Sequence, residues 1–119
     1  MEIIIPNSLR NNEEQIRKWV EDEKNIFLKP YNSDRSIFYR VSKINNNRYY
    51  YYFQKHSYIE NGKNRCCLIL LEVTNEFDDN ISVLEQNIIN TILRDNKNTL
   101  RIEENENSLL FMKLLLFMA

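Results

Sequence analysis

The chain has 119 residues and a mass of 14.5 kDa, with 16 Lys+Arg against 17 Asp+Glu, 43% hydrophobic residues and a mean hydropathy of −0.56. That size supports one domain over residues 1–119, with a single core that needs no disulfide or metal staple. A formal net charge of −1 disfavours nucleic acid and anionic lipid as partners, and the 12% aromatic content argues against disorder.

A membrane span needs about 20 consecutive apolar residues; the longest candidate, 109–119, is shorter and contains Lys113. Met1-Glu2-Ile3-Ile4-Ile5 runs straight into Pro6 without a basic leader or a cleavage site, so the cytoplasm of a bacterium or host cell is the expected compartment. Gly62 is the only glycine, which closes the glycine-rich phosphate loop, the dinucleotide fingerprint and the nucleophile elbow. The two cysteines, Cys66 and Cys67, are adjacent and on a strand would point to opposite faces, so they read as small apolar residues of a buried strand. Zinc would require further Cys or His ligands, and His56 is the only histidine. No catalytic, cofactor-binding or metal-binding residue emerges, and the chain reads as a non-enzyme.

In chain order, residues 3–5 are a short apolar run closed by Pro6, an edge strand or extended arm. Asn11 and Asn12 offer N-caps, Glu13 and Glu14 suit a first turn, and Ile16, Trp19, Val20 and Phe27 recur at helical spacing, predicting a helix over 12–27. Pro30 stops it. Ile37, Tyr39 and Val41 then alternate with Phe38, Arg40 and Ser42, predicting a strand over 35–44. Asn45-Asn46-Asn47 is a turn, because asparagine tolerates left-handed backbone geometry. A second strand covers 48–58, and Asn61-Gly62 marks a type I′ hairpin leading to a third over 65–74. That third strand is apolar without alternation, as in the middle of a sheet covered on both faces.

Ser82 and Glu85 fit a capping box ahead of a helix over 81–94, whose stripe is Leu84, Ile88, Ile89, Ile92 and Leu93. Leu100 and Ile102 begin another strand, 104–107 turns, and 109–117 returns as a further strand. The expected class is α+β, with an antiparallel sheet of about five strands and two helices packed on one face, in the order β-α-β-β-β-α-β-β.

The run Tyr49 to Phe53 is the most distinctive feature. Alternation places Tyr49, Tyr51 and Phe53 on one face and Tyr50 and Tyr52 on the other, so one set packs inside while the other can meet a partner. The acids of the first helix alternate with Arg17, Lys18 and Lys24 and read as a solvated face. The terminal run 109–118 carries one charge and needs a cover if it lies at an edge.

The order helix, three-stranded meander, helix, and a hairpin from Leu100-Arg101-Ile102 to Leu109-Leu110-Phe111 resembles the small chaperones that escort type III secretion effectors. The chain lacks that class's usual closing helix. The resemblance implies a cytoplasmic homodimer that holds an extended segment of another protein on its sheet. The expected function is therefore a non-catalytic protein-binding module, a small chaperone or adaptor that self-associates, with Trp19, Phe38, Tyr50, Tyr52 and Phe111 as partner-binding residues. Two alternatives stand beside it. One is an inhibitor of a host defence protein encoded by a virus or mobile element, compatible with the Asn/Lys/Ile-rich composition of an AT-rich genome. The other is a single-stranded nucleic-acid binder that stacks bases on exposed tyrosines.

Overall fold

The structure is a computed structural model, which describes residues 2–21, 28–95 and 99–103; of these, the side chains of 19–21, 34, 102 and 103 are not described. Eight elements follow in chain order: β1 (Glu2–Pro6), α1 (Glu13–Glu21), β2 (Lys29–Tyr31), β3 (Asp34–Ile44), β4 (Asn47–Glu60), β5 (Lys63–Thr74), α2 (Gln86–Arg94) and β6 (Thr99–Glu103). A 3-10 turn over Asn7–Asn12 leads directly into α1. The strands form one six-stranded sheet in the order β2-β3-β4-β5-β1-β6, antiparallel except between β1 and β5.

The α+β class and the long antiparallel meander agree with expectation, and four features correct it. First, β1 is an interior strand rather than an edge or arm. It runs parallel to β5 on one side and antiparallel to β6 on the other. Ile3, Ile4 and Ile5 are all completely buried. Successive strand residues point to opposite faces, so three buried neighbours require cover on both sides. Each such isoleucine contributes about 2 kcal/mol through burial. Second, Pro30 does not merely stop a helix. It sits in β2, a short sixth strand on the sheet edge, where a residue without an N–H is tolerated.

Third, the helices pack on opposite faces. Ile16 of α1 joins Ile3, Ile5, Phe38, Tyr51, Phe53, Leu68 and Leu70 on the first face. Ile89 of α2 joins Ile4, Cys67 and Ile69 on the second. The opposite parity of the two residue sets on β1 and β5 decides the matter. The expected return strand over 109–117 lies outside the described residues.

Asparagine shapes the turns. Asn45 and Asn46 have φ of 51° and 65°, and Asn61 and Gly62 have 52° and 75°, the left-handed pairs that a two-residue hairpin needs. Both hairpins stand where the sequence places them.

The second face holds a larger departure. The predicted helix over 81–94 begins only at Gln86; residues 75–85 are an irregular strap with bends at 75–76 and 79, and Glu85 caps the helix without a side-chain hydrogen bond, so Ser82 and Glu85 form no capping box. The strap is bound by side chains that rise from the sheet. The Tyr52 hydroxyl accepts the Asp78 N–H at 2.6 Å and shares a 3.2 Å hydrogen bond with the Thr74 hydroxyl. The Tyr31 hydroxyl donates to the Asp78 carbonyl and accepts the Ile81 N–H, both at 2.9 Å. Gln54 Oε1 accepts the Leu84 N–H at 2.8 Å. These bonds satisfy strap backbone groups that have no strand or helix partner of their own.

Tyr52→Phe removes two of these contacts without changing ring volume. It should cost about 1–2 kcal/mol of unfolding free energy, with faster amide exchange at Asp78 than at Ile69, measurable by denaturation and hydrogen-exchange NMR.

Candidate functional site

β3 pairs with β4 only as far as Ile37 opposite Gln54, and β1 meets β5 only from Glu2 opposite Cys67. Among the described residues, Lys55–Cys66 is therefore a two-stranded ribbon that runs past its neighbours. Tyr58 and Ile59 are the strand-forming residues of this stretch, and the two-residue Asn61-Gly62 turn holds the polar residues around them in register.

A cleft of about 640 Å³ lies between this ribbon, the end of α2 and β6, lined by Tyr58, Ile59, Glu60, Leu93, Arg94, Thr99 and Arg101. Its floor is a polar network. The Tyr58 hydroxyl donates to Glu2 Oε1, and Arg101 Nη1 lies 3.5 Å from the same oxygen. Arg101 Nη2 also donates to the Leu93 carbonyl at 2.8 Å, placing a cation on the C-terminal end of α2. Glu2 is buried, and these two side chains meet its carboxylate there. Burial, followed by the Glu2 hydrogen bond, pushes the Tyr58 hydroxyl pKa well above the usual phenol value.

On the cleft wall, Arg65 Nη1 lies 3.3 Å from Glu60 Oε2, and Arg94 Nε donates to the Asn90 carbonyl at 3.3 Å. The Thr99 hydroxyl donates to the Asp95 carbonyl at 2.7 Å. His56 stacks on Tyr58 with ring centroids 6.1 Å apart, and burial lowers its pKa.

Cys66 and Cys67 are both free thiols, the first half-buried and the second buried. Burial, then the Glu2 carboxylate and Cys66, push the Cys67 thiol up to about 12, against the opposing pull of Arg101. Among the described residues, no group of three or more His, Cys, Asp or Glu is placed to hold a metal ion.

The residues expected to meet a partner fall in different places. Phe38 is 6% exposed and packs in the core beneath α1, and Tyr52 is fully buried under the strap. Both rings are thus enclosed within the subunit. Tyr50 is half-buried, its ring 6.0 Å from Phe77. Trp19 falls within α1, but its side chain lies outside the described residues, as does Phe111 altogether. Face alternation along Tyr49 to Phe53 holds, yet both faces have covers.

Phe77, 47% exposed, closes the aromatic group over Tyr31, Tyr39, Tyr50 and Tyr52, with centroid distances of 5.1–6.2 Å. Beside it, burial and the Asp78 carboxylate raise the pKa of Glu72. Sequence reasoning missed Glu2, Tyr58, Arg94 and Arg101 as a group. The only signal was Glu2 beside an apolar run, an acid that needs a partner once its neighbours are buried.

The chain matches no protein-family model, and no curated protein or solved structure shows significant similarity to it.

Two outcomes check this description. Glu2→Ala leaves Arg101 and Tyr58 without their shared acceptor and should cost about 2 kcal/mol, reduced from a fully buried pair by the partial exposure of Arg101; urea titration reads it. In the native protein at pH 8, a thiol reagent should modify Cys66 and leave Cys67 unmodified, since only about one Cys67 in ten thousand is then thiolate. Cys67 should react on denaturation or as the pH approaches 12.

Proposed function

We propose that the protein is a non-catalytic protein-binding module that receives a segment of a partner protein in the cleft between the β4–β5 ribbon and α2. The observation that carries this reading is the cleft lining. Tyr58, Ile59, Leu93, Arg94 and Arg101 combine apolar bodies with cationic tips, and tyrosine and arginine are enriched where proteins meet. Arg94, exposed on that lining and bonded to the Asn90 carbonyl, favours a segment bearing an acidic side chain beside an apolar one.

The polar groups support binding rather than chemistry. Tyr58 is committed to Glu2, Arg101 to Glu2 and the Leu93 carbonyl, and Thr99 to the Asp95 carbonyl. These bonds brace the walls instead of aiming a nucleophile or base into the opening. On the second sheet face, the Tyr31 and Tyr52 hydroxyls are engaged within the subunit. They hold the protein's own strap at Asp78 and Ile81.

Partner capture from native cells, followed by anisotropy measurements with acidic peptides of the captured protein, tests the reading. Arg94→Glu should weaken binding at least tenfold with the fold unchanged by circular dichroism, corresponding to about 1.4 kcal/mol. Equal binding by Arg94→Glu and Ile59→Asp would reject the cleft.

A further inference from the structure

We propose that Asn61 is a spontaneous modification site: the Gly62 amide nitrogen attacks its carboxamide carbon, and the ring that forms opens in water to aspartate or isoaspartate at the ribbon tip. This goes beyond the cleft reading and does not rest on it.

Asn61 and Gly62 are both exposed, with φ of 52° and 75°. Positive φ at both positions makes the turn type I′. Glu60 and Lys63 are the last pair of the β4–β5 ladder, so the Asn61–Gly62 peptide lies beyond it. Among the described residues, no hydrogen bond holds the Asn61 carboxamide or the Gly62 N–H, and nothing lies within 4 Å of where a Cβ on Gly62 would stand. That peptide is free to flip without breaking a ladder bond. The flip converts type I′ to type II′ and carries the Asn61 ψ to about −120°. For an L residue, this is the value at which Cβ eclipses the next nitrogen across the Cα–C bond, so the five ring atoms become coplanar. Gly62 takes either sign of φ readily and has no Cβ to crowd the attack. Asparagine occupies the type II′ position only as a minor state, since glycine is favoured there. The unfolded chain has no advantage, because ψ near −120° lies outside both the α and β wells.

In the closing step, Gly62 N bonds to Asn61 Cγ, and the carboxamide nitrogen leaves as ammonia with the Gly62 amide proton. Water at Cγ then breaks the new Cγ–N bond and leaves aspartate. Water at the backbone carbonyl breaks the original C–N bond instead and leaves isoaspartate, with one more carbon in the main chain. Both products add negative charge next to Glu60, and isoaspartate lengthens a two-residue turn, so Glu60 and Lys63 lose register. Gly62 is the only glycine, so no other asparagine has this neighbour. Asn45 is the internal comparison: Asn45 and Asn46 hold the same left-handed pair, with φ of 51° and 65°, but Asn46 carries a side chain.

The test is to age the folded protein in mildly alkaline buffer beside the same chain unfolded in urea, following both by peptide mass mapping with isoaspartate detection. Folded Asn61 should gain one mass unit at a rate within tenfold of the unfolded chain, and more than tenfold faster than Asn45. Asn61→Gln, which would need a six-membered ring, should show no gain at that position. Amide exchange at Lys63 should be faster in the isoaspartate form than in fresh protein. Folded Asn61 reacting more than tenfold slower than unfolded Asn61, Asn45 converting within tenfold of Asn61, or unchanged exchange at Lys63 in the isoaspartate form would each overturn the proposal.

Discussion

Pairing of β1 with β5 and β6 is the constraint on which the rest of the described fold depends. With Ile3, Ile4 and Ile5 buried together, the first strand cannot lie at an edge; it must sit between two others with a layer on each side. That requirement sends α1 to one face and α2 to the other, as the Ile16 and Ile89 clusters show. It also places Glu2 inside the structure, at the strand's first residue, where Tyr58 and Arg101 converge on it. The cleft floor is thus a by-product of core placement: the strand that completes the sheet carries the acid that joins ribbon, helix and last strand.

The second face shows how polar tips and apolar bodies divide labour. Tyr31, Ile37 and Tyr52 form an apolar cluster, while the two hydroxyls reach out to bind the strap backbone. A phenylalanine surface would leave the Asp78 and Ile81 amides without these partners, at a cost comparable to the burial gained. Tyrosine suits this position because one side chain fills the core and satisfies the layer above.

Much of this was legible in the residues. Asn45-Asn46 and Asn61-Gly62 announce left-handed turns because few other residues adopt that geometry cheaply, so β3, β4 and β5 could be bounded closely. The unbroken apolar run from Cys66 to Leu71 likewise placed β5 inside the sheet. Three apolar residues are too few to show a period, which is why β1 looked like an edge. The strap was hidden for another reason. Residues 81–85 carry helix-start signals, but long-range bonds from Tyr31 and Gln54 hold Ile81 and Leu84 in a different arrangement, and tertiary contacts override local propensity. The cleft was the least readable feature, since Glu2, Tyr58, Arg94 and Arg101 come from four elements that only the topology brings together.

The parallel β1–β5 pair also bears on how the molecule reaches its final state. Its partners, such as Glu2 with Cys67 and Ile3 with Leu68, stand more than half of the 119-residue chain apart. The β3–β4–β5 hairpins can form from neighbours alone, whereas the opening strand has nothing to dock against until β5 emerges from the ribosome. Closing so long a loop is entropically slow, so the isoleucine triplet finds shelter after the β3–β4–β5 meander has formed, and β6 can add only once β1 is in place. Until β5 is available, that greasy triplet stays exposed and in need of protection from aggregation.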